Sequence, residues 1–282
     1  MSTGVKSRWT STAKSLARRA GFEVVRIPRG SASTANSVEV EPAGSSRPSL
    51  VISTVLYGDN PRYLDGAERS AELYGEMFPG WSLVIFCDDS VPLDIRDSLA
   101  NFSNVRICDP PYPAPDYRRL FWRFTPIMWT GTAAVIIRDL DSRPTLRERS
   151  AVDEWLASGK ALHIMRDHPD HTEPIMGGMF GVLPRALPDF RATLLAYGPD
   201  DSYGCDQRFL GKLLYLRLID NALVHQDAPS FQDPPATWVR PFPVALPSGH
   251  FIGQGWERDG QVREGHAQRS GLPSPANTDG SA

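Results

Sequence analysis

Between residues 50 and 158 the chain alternates short apolar, β-branched runs with stretches of helical periodicity, and this alternation restricts the architecture more than any other feature. Runs suited to strands fall at 50–56, 83–87, 105–108 and 133–138, and helical patterns at 61–78, 93–102 and 146–158. Neighbouring parallel strands need a long crossover between them, and a helix supplies it. The expected class is therefore α/β: a Rossmann-like, mixed, mostly parallel sheet flanked by helices. Open sheets of this kind bind ligands at the carboxyl ends of their strands, so the residues that follow each strand are where chemistry is sought.

The run 133–138 leads straight into Asp139-Leu140-Asp141. Two carboxylates two positions apart at a strand end can be aimed at one point by a turn. Hard oxygen ligands of this sort suit Mg²⁺ or Mn²⁺, which keep waters and bridge to substrate phosphates. Alone, an Asp-x-Asp is weak, because such acids are often solvated turn residues. The phosphate-binding signatures GxGxxG after a strand and GxxxxGK[ST] are absent.

With 282 residues and 41% hydrophobic content the chain can bury a full core, and its net charge of −3 gives no reason to expect nucleic acid as a partner. The cysteines, Cys87, Cys108 and Cys205, are odd in number and far apart, which indicates neither a disulfide framework nor a zinc site. With no long apolar run and no signal-type apolar segment, a cytoplasmic protein is expected. Residues 1–30 are basic, with Trp9, Ala13, Leu16, Ala17 and Ala20 at helical spacing. This is the pattern of a short amphipathic helix, docked on its own domain or making peripheral contact with the inner face of a membrane. Composition divides the chain into a basic segment and flexible linker at 1–47, a working domain at 48–258 and a flexible tail at 259–282.

The domain resembles nucleotide-sugar-dependent glycosyltransferases of the GT-A fold, in particular bacterial and viral-type members whose acidic motif reads Arg-Asp-x-Asp-Ser-Arg, here Arg138 to Arg143. The similarity extends in order through 51–58, 151–156, 163–169, 176–181, 206–210 and 251–254. It implies transfer of a sugar to a glycan, lipid-linked saccharide or small-molecule acceptor, with Mn²⁺ or Mg²⁺ as cofactor. The donor half would be 50–143 and the acceptor half 144–256. Similarity of the Gly-Gly and Asp-Gln blocks to glycogenin-like enzymes leans towards retention of configuration.

Site residues follow from the resemblance. Tyr57 would border the nucleobase, with Asp88 or Asp89 on base or ribose. Asp139 would face ribose and metal, Asp141 the metal directly, and His225 is the best third ligand, ahead of Asp227 and His250. One of Arg118, Arg119 and Arg123 would pair with the diphosphate or with Asp139, Arg123 being counted with the donor site, while 119 and 123 on one helical face also suit a structural salt-bridge network. Gly177-Gly178 would let backbone approach the donor sugar, since glycine has no Cβ to block it. Asp206-Gln207 would act on the reacting centre. Each has a plainer alternative: Asp88 as a turn cap, Asp206 as a helix N-cap, His225 as a structural hydrogen bonder. The segment 166–171, Arg-Asp-His-Pro-Asp-His, is a further candidate for sugar contact. Two rival functions remain: a haloacid-dehalogenase-type phosphatase, disfavoured by Arg143 and by the strands preceding the motif, and a non-catalytic nucleotide-sugar-binding domain.

Overall fold

A computed structural model describes residues 49–198, 201–227, 230–247, 249–257 and 260–263. The basic leader and most of the tail lie outside the described residues. Eight strands form one sheet in the order β3-β2-β1-β4-β6-β5-β7-β8. They are β1 (Ser49–Leu56), β2 (Ser82–Cys87), β3 (Val105–Cys108), β4 (Thr132–Ile137), β5 (Leu162–Arg166), β6 (Phe180–Val182), β7 (Ala222–Gln226) and β8 (Trp238–Arg240). Only β6 runs against its neighbours, β4 and β5. The other pairings are parallel, so the mixed, mostly parallel α/β sheet is as expected.

The near-continuous apolar strands reflect burial on both faces. Val51, Val84, Val135 and Ile137 pack into a core on one side with Phe121, Phe124 and Phe209. Ile52, Ile85, Ala134 and Ile136 pack on the other against Ala67, Tyr74 and Trp155. That second layer comes from α1 (Pro61–Met77), α2 (Leu93–Ala100) and α3 (Leu146–Ser158). The Asn60 side chain caps α1 by accepting from Arg62 N, and Thr145 caps α3 by accepting from Glu148 N. The first layer holds a 3₁₀ segment (Asp116–Met128) and α4 (Phe190–Tyr197). It continues with α5 (Cys205–Phe209), which runs into a π turn (Leu210–Tyr215) and a last α turn (Leu216–Leu218).

Two features position the site. β1 and β4 are adjacent and parallel, from Leu50–Ala134 to Ser53–Ile137, so Tyr57 and Asp139 leave the sheet at the same edge. The Asp-Leu-Asp segment is then clamped from below by α1. Ser70 Oγ donates to Leu140 O at 3.1 Å and lies 3.2 Å from Ser142 O. A Cβ on Gly66 would sit 2.7 Å from Leu140 O, so only glycine lets the helix come this close. From above, Trp256 N donates to Asp141 O at 2.8 Å.

The boundary expected near 258 falls too early. Residues 255–257 pair back onto 261–263 through Glu257 N to Gln261 O and Arg263 N to Gly255 O, placing Arg263 in the site. The polar composition of the segment concealed that pairing.

Candidate active site

A cleft of about 730 Å³ opens at this edge. Its walls include Tyr57, Tyr63, Arg123, Asp139, Asp141, Gly177, Gly178, Asp206, Gln207 and Arg263. Residues far apart in sequence therefore meet in one place, and most of the expected site residues are among them.

At its centre lies Arg123, 2% exposed on the 3₁₀ segment. Its Nη1 donates to Asp139 Oδ1 at 2.5 Å and its Nη2 donates to Asp206 Oδ2. Burial works against the guanidinium's charge, but Asp139 and Asp206 more than offset it and raise its pKa further. Charge-assisted pairs of this kind fix geometry as well as charge. The glycines close the arrangement. A Cβ on Gly177 would lie 2.7 Å from Asp206 Oδ2 and 2.9 Å from Arg123 Nη2, and one on Gly178 would lie 2.2 Å from Asp139 Oδ2. The Gly-Gly pair thus makes room for the protein's own carboxylates as well as for any ligand.

Asp206 is not the cap of its helix. Gly204, at φ +75°, holds the N-cap position and Cys205 begins the helix. The Asp206 carboxylate turns instead to Arg123, with its side chain 4% exposed. Beside it, Gln207 also lines the cleft, and its Oε1 is buried without a hydrogen-bond partner.

Asp141 is less well compensated. Arg62 Nε lies 3.6 Å from its Oδ2. Burial, with the charge of Asp139 added, pushes its pKa up to about 6, against smaller opposing effects of Arg62 and Arg263. A divalent cation between Asp139 and Asp141 would relieve that repulsion, and two carboxylates completed by phosphate oxygens and waters are a usual set for Mg²⁺ or Mn²⁺. The donor set fits such an ion in that form. Among the described residues no group of three or more His, Cys, Asp or Glu is arranged to hold a metal.

His225 does not supply a third ligand. It lies outside the cleft wall at 0% exposure, its Nδ1 2.8 Å from His163 Nε2 and its Nε2 3.3 Å from Glu154 Oε2. A carboxylate only accepts, so His225 Nε2 donates to Glu154 and neutral Nδ1 accepts from His163. Both nitrogens are used inside the fold. Burial is the main cause that lowers both imidazoles' pKa, that of His163 strongly. The reserves fare no better: Asp227 accepts from Arg147 Nη2 and from Phe242 N, and His250 stacks on Trp256.

Tyr57 lines the cleft, with the Arg119 guanidinium 5.2 Å above its ring. Burial pushes its phenol up to about 12. Asp88 and Asp89 are not in the wall. Asp88 Oδ1 accepts from Ser90 N at 3.1 Å while Oδ2 holds Arg119 at 3.3 Å, so Asp88 reaches the Tyr57 corner through Arg119 and through Ser90, whose Oγ accepts from Gly58 N at 2.7 Å. Asp89 points to solvent, 4.0 Å from Arg96. The 166–171 segment splits in two. His168, Asp170 and His171 face the cleft. Arg166 turns into the core to donate to Asp233 at 2.5 Å, and Asp167 accepts from Arg147 and from Ile252 N. The motif's Arg138 is structural: it is buried, donating to Glu148 at 2.6 Å and to the carbonyls of Ile137 and Phe180.

No protein-family model matches the chain, and no curated protein does. Many solved structures share similarity with it, and two illustrate the likeness. One is a mannosyltransferase from Pyrobaculum calidifontis, solved in complex with GDP-mannose and Mn²⁺. It is 15% identical, with 70% of this chain and 59% of that one covered and a TM-score of 0.45. The other is a glycosyltransferase involved in glycosylating the major capsid of PBCV-1. It is 15% identical, with 64% of this chain and 82% of that one covered and a TM-score of 0.41. The chain thus spans less than two thirds of the mannosyltransferase's length.

Proposed function

We propose that this chain is a metal-dependent glycosyltransferase of the GT-A type, moving a sugar from a nucleoside-diphosphate sugar to an acceptor hydroxyl. The observation that carries this reading is the Asp139–Arg123–Asp206 chain of ion pairs. It joins the strand-end Asp-x-Asp to a carboxylate on a separate helix, across a floor where only glycine fits.

The roles follow from position. Tyr57, under Arg119, offers a flat face to a nucleobase. Asp139 and Asp141 hold the cation, which would supply charge neutralisation for the departing diphosphate. Arg123 keeps Asp139 and Asp206 at fixed separation and carries positive charge towards the same diphosphate. Gly177 and Gly178 let the donor sugar lie against backbone. Asp206 places a fixed negative charge beside the reacting carbon, where it stabilises an oxocarbenium-like transition state, and Gln207 Oε1 accepts a hydroxyl of the sugar. Preorganised charge of this kind is commonly the largest single contribution to catalysis. The similarity of the Gly-Gly and Asp-Gln blocks to retaining enzymes extends the reading to retention of configuration.

The phosphatase alternative needs a second acidic pair at a strand end. The later acidic pair in the sequence is Asp200-Asp201, and Asp201 accepts from Arg118 N and is not in the cleft wall. The test is to incubate the protein with Mn²⁺ and a panel of UDP-, GDP-, ADP- and dTDP-sugars and measure release of nucleoside diphosphate. Release from at least one donor, lost with Mn²⁺ chelated, is expected. No release from any donor, together with phosphatase activity on a phosphomonoester, would overturn the reading.

A further inference from the structure

We propose that Tyr117 and Tyr203 form a platform at the rim of the cleft that stacks against a neutral saccharide ring of the acceptor; this rests on the transferase reading above. Of the exposed large apolar side chains among the described residues, these two also line the cleft. Tyr117 is 40% and Tyr203 79% exposed. Their rings meet edge to face, with centroids 6.0 Å apart and planes at 83°, and the high exposure of Tyr203 leaves most of its ring open to solvent. They come from different elements, Tyr117 from the start of the 3₁₀ segment and Tyr203 from the loop that delivers Asp206.

The pair is held in place. Arg118 N donates to Asp201 Oδ1 at 3.2 Å, Cys205 Sγ lies 3.7 Å from Tyr117 O, and Arg208 Nη1 donates to Tyr203 O at 2.9 Å. Two aromatic rings kept in water at a cleft mouth, on a pinned loop, are expected where a ligand covers them.

The chemistry of the neighbourhood selects the ligand. A pyranose has an apolar C–H face to lie on a ring and a rim of hydroxyls to hydrogen-bond. Tyr203 supplies the ring, and Asp206, three residues on, lines the same cleft. The cationic groups in the cleft wall are Arg123, already shared between two carboxylates, and Arg263, whose charge acts on Asp141. Neither stands ready for an anionic acceptor. A sugar stacked on Tyr203 would lie at the mouth of the cleft that holds Asp206, where the donor's diphosphate is displaced.

The test uses saturation-transfer NMR on the full chain with methyl glucosides, methyl galactosides, methyl mannosides, lactose, cellobiose and maltose as probes. Saturation is expected on the ring C–H protons of at least one probe. Tyr203→Ala should weaken that probe's binding by about tenfold or more, while Tyr203→Phe and Tyr203→Trp, each checked for an unchanged melting temperature, should keep it. Binding unaffected by Tyr203→Ala, or no saturated probe, would overturn the platform. A thermal shift of the wild type with nucleotide sugars and Mn²⁺ separates the two claims. If no nucleotide sugar binds, the transferase reading fails and the platform with it; if one binds but the sugar response ignores Tyr203, only the platform fails.

Discussion

Gly178 lies so close to Asp139 that a Cβ at position 178 would come within 2.2 Å of Asp139 Oδ2. The conflict is with the end of a side chain that is 49% exposed, so the carboxylate can swing away and the fold should survive. Gly178→Ala is therefore expected to melt within a few degrees of wild type and to lose Mn²⁺-dependent donor binding by at least about tenfold. By contrast, Gly66→Ala would drive a Cβ to 2.7 Å from a backbone carbonyl, Leu140 O, and should lower both the melting temperature and binding. Calorimetric titration and thermal melts on both variants check the contrast.

Asp141 trades stability for charge. Its pKa is raised from 3.8 to about 6, mainly by burial, so the folded state holds the proton more tightly than the unfolded chain. Stability is then undiminished below about pH 4 and is lost as pH rises through 6, by about 2–3 kcal/mol for this group. Asp141→Asn is expected to melt higher than wild type at pH 8 without metal, to match it near pH 4, and to gain nothing from Mn²⁺. Melting curves across that range check the sign.

Asp206→Asn keeps shape and loses charge. Because the carboxylate pairs with buried Arg123 and does not cap its helix, the variant should lose about 1–3 kcal/mol of stability. Loss of the negative charge at the reacting centre should lower kcat by about a hundredfold or more with donor affinity little changed, the order that positioned acid–base groups contribute. Urea denaturation and steady-state kinetics check the two halves.

His163 and His225 are both held neutral, so their folded pKa values lie below the ordinary 6.5. Their contribution to stability is present above pH 6.5 and is lost as pH falls below it. Imidazole proton resonances should show midpoints below 6.5 for both. Added Mg²⁺, which is diamagnetic, should shift signals from Asp139 and Asp141 and leave the pH midpoints of these two rings unchanged.

The parts of this site that could be read from sequence were those set by local pattern. An apolar run ending in Asp139-Leu140-Asp141 fixes a strand end wherever its sheet partners lie, and Gly177-Gly178 marks a close approach. His225 was misjudged because a strand residue's face depends on register: opposite Met165 in the parallel pairing of β5 and β7, it points into the layer that holds Trp155 and His163. Asp206 resembles a cap because it precedes an apolar run of helical pattern, whereas the helix begins at Cys205 with Gly204 at the cap, which leaves the carboxylate for Arg123. Arg62 and Arg263 both act on Asp141, yet nothing local in sequence foretells that a helix start and a late hairpin converge there.

The central claim is that Asp139 and Asp141 bind a divalent cation together with a nucleoside-diphosphate sugar. It is tested most directly by calorimetric titration of the responding donor into wild type and Asp141→Ala, each with Mn²⁺ and with the metal chelated. The account predicts binding by the wild type only when Mn²⁺ is present and none by Asp141→Ala in either condition. Equal affinity in all four titrations would contradict it.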